Sequence, residues 1–251
     1  MTSIFMYHAV GDPVDIEGSD PHYAVNCEQF TKQILKIEQS VPLAVQLAQD
    51  GKVTTNCITF DDGHLSNFSK AFPILVKHKL CAEFYINTAF VGEENYMSWE
   101  QLREMQNAGM SIQSHGHHHE YFSDMSESQI ESELSQSKKS IEENLGTKVT
   151  VFAPPGGRFD NRVVKIAKIL GYQCIATSIP GCVNNGRNFT LPRFAIIHTT
   201  NEYTVANWCH RFSRDTLKQS LRYSVFSVAK RVLGNKNYER LRGKVLGNGV
   251  G

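Results

Sequence analysis

The sequence predicts an α/β fold in which short parallel strands alternate with helices, either as a barrel or as a doubly wound layer. Three observations predict it: short apolar segments recur along the chain, helix capping signals lie between them, and polar residues cluster where the apolar segments end. The chain has 251 residues, of which 41% are hydrophobic and 20% are charged. This length and composition suit one large domain with a sizeable core.

Seven apolar segments are predicted to be strands, and the segments between them carry helix signals. The predicted strands are residues 4–7, 57–60, 82–86, 110–113, 149–153, 173–177 and 193–197. Residues 98–101 and 126–129 read as capping boxes, while Gly109 and Gly146 fall where the C-terminal glycines of helices belong. Asp160 is expected to cap a further helix, so strand and helix alternate along most of the chain.

Polar residues with metal-binding chemistry follow three of the predicted strands, and a Pro-Pro-Gly-Gly segment follows a fourth. His8 follows the first strand, Asp61 and Asp62 the second, residues 115–119 the fourth, and residues 154–157 the fifth. In a (β/α) barrel the carboxyl ends of the strands converge on one face, where active sites are built. Adjacent carboxylates on an extended backbone point in different directions, so one can bind a cation while the other stays free as a base. A carboxylate, two imidazoles and an open position are typical of a hydrolytic Zn²⁺ site.

Four short motifs in residues 3–200 resemble those of the NodB-homology polysaccharide deacetylases. They read TFDDG at residues 59–63, HGHHH at 115–119, FAPPGGR at 152–158, and Met-Tyr-His at 6–8. The last of these resembles the branch with an N-terminal Tyr-His motif, as in poly-N-acetylglucosamine deacetylases. The first two motifs are specific in combination, whereas each one by itself is weak.

The resemblance implies a fold and a division of roles. The fold is a deformed (β/α) barrel of the NodB-homology type. Asp62, His115 and His119 are the implied ligands of Zn²⁺ or another divalent transition metal, Asp61 is the implied general base, and His8 is the implied general acid. Metal-bound water has a pKa near 7, which a carboxylate base can exploit at neutral pH.

The third motif departs from the family pattern. The family carries an arginine at its start that tunes the catalytic aspartate, and Ala153 stands there in this chain. Arg193 or Arg158 is the expected replacement. Gly156, beside Pro155, is the expected oxyanion donor and substrate-binding residue, because a proline has no N–H to offer.

Simpler interpretations exist for several of these residues. An Asp-Asp-Gly sequence after a strand is by itself most often a turn, and only the paired histidines make a metal site the better interpretation. His198 is a second candidate for the general acid, because it also follows an apolar strand. His117 and His118 are interpreted as pocket lining or as solvent-facing residues.

The charge distribution divides the chain into a deacetylase-like domain, residues 1–204, and a basic helical extension, residues 205–251. The extension holds ten basic and two acidic residues, against sixteen and twenty-three in the rest of the chain. Such a segment suits association with an anionic membrane surface, although a helix packed on the barrel with a solvated basic face fits equally well. Nucleic acid binding is not expected, because the rest of the chain is acidic.

The cysteines and the N-terminus bear on location. The six cysteines form no CxxC pair and are interpreted as reduced thiols. The N-terminal segment lacks a basic region and a long apolar run. We therefore expect a cytoplasmic protein, peripheral at the inner face of the membrane if the extension binds there.

Three functions are consistent with these residues. The favoured one is a metal-dependent N-deacetylase acting on N-acetylhexosamine units of a polysaccharide or of its lipid-linked precursor. The second is a deformylase or amidase acting on a small or lipid-linked C–N substrate. The third is a non-catalytic carbohydrate-binding scaffold, for which the missing arginine at Ala153 is the only support.

Overall fold

In the computed structural model, ten strands and seven α-helices alternate along the described part of the chain, which is residues 2–184 and 187–209 together with residue 221. The strands are β1 (Ile4–Tyr7), β2 (Ala9–Val10), β3 (Ala24–Val25), β4 (Cys57–Phe60), β5 (Ala82–Ile86), β6 (Ser111–Ser114), β7 (Val151–Phe152), β8 (Cys174–Ala176), β9 (Thr190–Leu191) and β10 (Phe194–Ala195). The α-helices are α1 (Cys27–Ile34), α2 (Leu43–Asp50), α3 (Phe72–Lys77), α4 (Trp99–Asn107), α5 (Glu127–Leu145), α6 (Asn161–Ile169) and α7 (Glu202–Trp208).

Eight of the strands form one parallel sheet that curls on itself. Its order is β10-β1-β4-β5-β6-β7-β8-β9, while β2 and β3 pair separately. The edge strands β9 and β10 are separated in sequence only by Pro192 and Arg193. Because consecutive Cα atoms are about 3.8 Å apart, the two edges of the sheet must lie close together. The predicted deformed (β/α) barrel is confirmed.

Side-chain alternation along the strands creates two separate cores. On β4, Ile58 and Phe60 face the helices, whereas Cys57 and Thr59 face the barrel interior. The core inside the barrel is small and is closed at one end by α2. It contains Ile4, Leu43, Val53, Cys57, Tyr85, Val151, Ala153, Cys174, Ala176, Val183 and Leu191.

The same alternation decides which polar residues face the interior at the carboxyl ends of the strands. His8 is two residues beyond Met6, Asp61 two beyond Thr59, and His115 two beyond Gln113, so each is expected on the interior face of its strand. Strand parity therefore brings residues from three parts of the sequence to one end of the barrel. A slip of one residue in any of these strands would turn its site residue toward the helices.

The predicted capping signals are present. Ser98 and Ser126 each form a complete capping box, Asp160 accepts hydrogen bonds from the first turn of α6, and Gly146 ends α5 with a φ of 66°. No helix among the described residues is long and apolar enough to cross a membrane.

The basic extension predicted for residues 205–251 lies mostly outside the described residues. Helix α7 crosses the predicted boundary between residues 204 and 205. In α7, Val205 and Trp208 are buried, and the Trp208 ring stacks on Phe194 at a centroid distance of 4.9 Å. This part of the extension packs on the barrel, and the helical character of the remainder stays a prediction.

Phe60 connects the outer core to the site, because it directly precedes Asp61. Its ring stacks on Phe84 at 4.8 Å and on Tyr7 at 5.4 Å between centroids. Phe60→Ala is expected to lower the free energy of unfolding by about 3–5 kcal/mol, since it leaves a cavity between rigid strands. Urea unfolding measures this, with Phe60→Leu as a control that should cost distinctly less. A loss below about 1 kcal/mol for the alanine variant would contradict this packing.

Candidate active site

Three predicted metal ligands meet at the carboxyl end of the barrel. Asp62 Oδ1 lies 3.2 Å from His115 Nε2 and 3.2 Å from His119 Nε2. All three ligand atoms lie within 4.8 Å of one another. His115 is buried, whereas His119 and Asp62 are partly exposed, so the cluster opens to solvent on one side.

The hydrogen bonding of His115 determines which of its two ring nitrogens points at the cluster without a proton. His115 Nδ1 lies 2.7 Å from the carbonyl oxygen of Ala153, which can only accept a hydrogen bond. With Nδ1 as the donor, a neutral His115 presents a bare Nε2 lone pair to the carboxylate of Asp62. Two acceptors facing each other at 3.2 Å are stabilised by a shared cation. The cluster therefore fits a divalent metal, and the histidine and carboxylate donors suit zinc.

The backbone at Asp62 turns sharply to present its carboxylate. Asp62 has a φ of 72° and Gly63 a φ of 76°, so two consecutive residues are left-handed. A left-handed aspartate is uncommon and costs on the order of 1–3 kcal/mol, which the surrounding structure must offset. This turn separates the directions of the two neighbouring carboxylates.

The charges of the cluster shift its pKa values in opposite directions. Burial raises the pKa of Asp62, but hydrogen bonds from His115 and His119 outweigh burial and hold it well below its ordinary value. Burial lowers the pKa of His119, but its hydrogen bond with Asp62 raises it more, so the net shift is upward. The upward shift favours a proton on the His119 imidazole, which balances the carboxylate before a metal binds.

Asp61 is held by a two-pronged ion pair inside the barrel. Arg193 Nη1 donates to Asp61 Oδ1 at 2.6 Å, and Arg193 Nη2 donates to Asp61 Oδ2 at 2.8 Å. Asp61 is 3% exposed and Arg193 is 0% exposed. Burial raises the pKa of Asp61, but the charge of Arg193 and its hydrogen bonds lower this pKa by more than burial raises it. The carboxyl is therefore ionised at neutral pH.

Arg193 is itself held by several groups of the barrel interior. Its Nε donates to the carbonyl oxygen of Thr177 at 3.0 Å, and Nη1 also donates to Thr59 Oγ1 at 3.2 Å. Its guanidinium lies over the ring of Tyr85, 5.2 Å from the centroid. The Tyr85 hydroxyl in turn donates to the buried carboxyl of Glu83 at 2.6 Å. Arg193 therefore reaches Asp61 in a fixed orientation.

Arg158, the other arginine considered from the sequence, lies elsewhere. Its guanidinium stacks over the ring of Tyr121 at 4.1 Å. The same ring faces Gly156, where an added Cβ would lie 2.7 Å from Tyr121 Cε1. Gly156 has a φ of 60° and is exposed, and its N–H makes no hydrogen bond within the part of the chain that the structure describes. A glycine is thus required at this position. Its amide is available to a ligand and lies next to the buried Pro155.

His8 lies close enough to the two aspartates for their charges to act on its imidazole, whereas His198 is exposed. The ring of His8 stacks on Tyr23 at 4.5 Å, and Asn67 Nδ2 donates to its backbone carbonyl at 2.6 Å. Within the described residues its buried Nδ1 has no hydrogen-bond partner. Burial lowers the pKa of His8, and the charges of Asp62 and Asp61 offset part of that shift, so the neutral imidazole predominates at pH 7. His198 is exposed, and its ring packs edge-on against His22.

Several residues with clear roles in the geometry carry no signal in the sequence. Glu83 and Tyr85 read as ordinary strand residues, and Glu133 reads as a surface residue of α5. Glu83 and Tyr85 are completely buried, and Glu133 accepts hydrogen bonds from the backbone N–H groups of His117 and His118. Strand parity identifies Glu83 and Tyr85 as interior residues once the barrel is assumed. Only tertiary structure brings Glu133 to the histidines.

The family follows from a direct match of the chain. The model of the family described as polysaccharide deacetylase matches residues 48–175, which is about half of the sequence. The chain belongs to this family. The resemblance found in the motifs is thereby confirmed at the level of the family, and a poly-N-acetylglucosamine deacetylase is among the relatives of the chain.

Individual relatives support the family assignment over most of the chain. YxkH of Bacillus subtilis, whose name places it among polysaccharide deacetylases, is 27% identical over 183 residues, which cover 72% of this chain and 66% of YxkH. The poly-beta-1,6-N-acetyl-D-glucosamine N-deacetylase of Staphylococcus aureus is 26% identical over 210 residues, covering 74% of this chain and 72% of that enzyme. The crystal structure of a polysaccharide deacetylase from Bacillus cereus matches with a TM-score of 0.72 and 26% identity, covering 82% of this chain and 68% of that chain.

Removing Arg193 is expected to leave Asp61 as an unpaired buried charge. We expect Arg193→Ala to lower the free energy of unfolding at pH 7 by about 3–5 kcal/mol, as measured by urea denaturation without metal. The double variant Asp61→Asn/Arg193→Ala is the control, because it removes the stranded charge and should recover part of the loss.

The same loss should depend on pH. In the wild type the pKa of Asp61 is lower in the folded protein than in the unfolded chain. The ionised carboxylate therefore stabilises the fold fully above the unfolded pKa of about 3.9, and this stabilisation is lost as the pH falls from that value through the folded pKa. Without Arg193, burial raises the pKa of Asp61, so its penalty grows as pH rises from 4 to 7. The wild type and Arg193→Ala should therefore differ less at pH 4 than at pH 7. An equal difference at both values would contradict the ion pair's role.

Proposed function

We propose that this chain is a metal-dependent N-deacetylase acting on N-acetylhexosamine units of a polysaccharide or of its lipid-linked precursor. One observation carries the proposal: a cluster of three metal-ligating side chains lies directly beside a buried carboxylate that is held ionised by an arginine. The cluster suits a hydrolytic metal, and the carboxylate suits a base.

The two adjacent aspartates have different roles in this proposal. Asp62, His115 and His119 hold the metal, which when bound lowers the pKa of water to about 7 and polarises the acetamide carbonyl. Asp61 does not join the ligands, because Arg193 occupies both of its oxygens along the barrel side. A carboxylate has about four lone-pair directions, so Asp61 can still accept a proton from water on its open side.

Gly156 and His8 complete the proposed acid–base chemistry. The N–H of Gly156, which has no hydrogen-bond partner among the described residues, is suited to stabilise the oxyanion of the tetrahedral intermediate, and one such donor is worth roughly 2.7–4 kcal/mol of barrier. His8 is the proposed donor of the proton to the leaving amine. Its proximity to Asp61 and Asp62 supports this choice over His198, because the two carboxylates offset part of the lowering of its pKa by burial and so stabilise the proton that it must pass to the amine.

The choice of substrate class rests on the relatives and on Arg193. The Staphylococcus aureus relative is a deacetylase of poly-beta-1,6-N-acetyl-D-glucosamine, and we extend that substrate class to this chain. The alanine at position 153 was the support for a non-catalytic scaffold, and Arg193 removes it by supplying a guanidinium to Asp61. No feature of the site favours a small amide or formamide. Membrane-surface association and a cytoplasmic location stay predictions.

Asp61→Asn tests the proposed base without removing a metal ligand. The wild type should hold about one zinc per chain and release acetate from N-acetylated β-1,6-glucosamine oligomers, and not from small amides. Asp61→Asn should keep its zinc but lose about 10²–10⁴-fold in kcat. Elemental analysis and an acetate assay measure the two properties.

Asp50→Asn, at the exposed end of α2, is the matched control and should behave like the wild type. Wild-type protein without stoichiometric zinc, or full activity in Asp61→Asn, would refute the proposal. Release of acetate from small amides in preference to the oligomers would favour the amidase alternative.

A comparison of His8→Ala and His198→Ala distinguishes the two candidate acids. His8→Ala should lower kcat by about 10²–10⁴-fold with little change in KM, because protonation of the amine belongs to the transition state. His198→Ala should leave kcat within a factor of two or so of the wild type. The opposite pattern would assign the acid role to His198.

A further inference from the structure

The histidine loop, residues 115–119, carries two of the three proposed metal ligands at its ends. On one flank its backbone is bound by the last residue of β5 and by the segment that follows it. His115 N donates to the carbonyl of Ile86 at 2.9 Å, and Ala89 N donates to the carbonyl of His117 at 2.9 Å. Asn87 Nδ2 also donates to the carbonyl of His115 at 2.7 Å. This flank fixes the start and the middle of the loop.

On the other flank a single carboxylate binds the loop. Glu133 Oε2 accepts hydrogen bonds from the backbone N–H of His117 at 2.9 Å and from that of His118 at 2.8 Å. Glu133 Oε1 lies 2.7 Å from His118 Nδ1, which donates to it. The Glu133 side chain is only 12% exposed. It comes from α5, a long helix that packs against β6, so its position is fixed by an element outside the loop.

We propose that Glu133 is a positioning residue of the metal site, which sets the distance and angle between His115 and His119. The inference rests on the proposed function, because it requires that these two histidines bind a metal. His117 and His118 lie between the two ligands, and Glu133 fixes the peptide N–H of each. The middle histidines thus serve the site through their backbone, while their rings bond to Glu133 in the case of His118 and to Thr88 Oγ1 in the case of His117.

The energetic argument concerns the free protein. Tight metal binding requires that the two imidazoles already point at the same position in the free protein, since ordering a loose loop on binding costs conformational entropy. Outer-shell partners of metal ligands typically contribute 10–100-fold in affinity. If Glu133 is removed, the exposed His118 N–H and the half-buried His117 N–H can bond to water, so the loop loosens while the barrel persists.

Zinc binding to the full chain tests the role of Glu133 without any activity assay. Competition titration with a chromophoric zinc chelator should give a Kd that is about 10–100-fold higher for Glu133→Ala than for the wild type. Glu133→Gln keeps an acceptor oxygen for the amide N–H groups and should recover part of the affinity. Glu131→Ala, an exposed glutamate two residues away on α5, is the matched control and should bind like the wild type.

A spectroscopic signature separates positioning from general stability. The visible absorption of bound Co²⁺ reports ligand geometry, and it should change in Glu133→Ala but not in Glu131→Ala. Zinc affinities within twofold of the wild type in Glu133→Ala, with an unchanged Co²⁺ spectrum, would overturn the role of Glu133 but would leave the proposed function untouched. Wild-type protein that binds no zinc would instead overturn the proposed function, and this inference with it. If Glu133→Ala does not fold, the same criteria apply to Glu133→Asp, whose shorter side chain keeps the charge but not the reach.

Discussion

The buried ion pair between Asp61 and Arg193 is the interaction on which the rest of the site depends. A carboxylate in the interior of a barrel is costly unless a cation and hydrogen bonds satisfy it. Arg193 meets this need with two short hydrogen bonds, and it can do so because it lies at the seam between β9 and β10, facing inward. The strands β9 and β10 form the two edges of the sheet, so the barrel is open at this seam. The short connection between them also places the guanidinium of Arg193 inside the barrel.

The pairing of Asp61 leaves its neighbour with a different need. Asp62 also carries a carboxylate, but its partners are two imidazoles, one of which presents a bare lone pair when neutral. A cation is the natural complement to that set of acceptors. The two adjacent aspartates therefore differ in their partners, which are an arginine for Asp61 and a metal for Asp62. The left-handed backbone at Asp62 keeps those partners apart.

The fold and most of the site could be predicted from local signals. Capping boxes at Ser98 and Ser126 fix two helices, and strand parity places His8, Asp61 and His115 on one face. The bounds of helix α2 could not be predicted, because Pro42 precedes it and no side chain caps it, and β9 could not be predicted, because two residues are too few for a pattern. The contact of Glu133 with the histidine loop and the choice between Arg193 and Arg158 could not be predicted, since each contact joins residues from different elements of the fold. Only the side-chain contacts distinguish the two arginines, since Arg193 binds Asp61 and Arg158 stacks on Tyr121.

The most direct test of the central claim is the pKa of the Asp61 carboxyl in metal-free protein. Carbon-13 NMR can follow this carboxyl through an acid titration, with Asp61→Asn identifying its resonance. If Arg193 holds the base ionised, the midpoint lies below the ordinary aspartate value of about 3.9, and the signal does not move between pH 5 and 7. A midpoint above that value would mean that burial outweighs the ion pair, and Asp61 would then not be the preformed base described here.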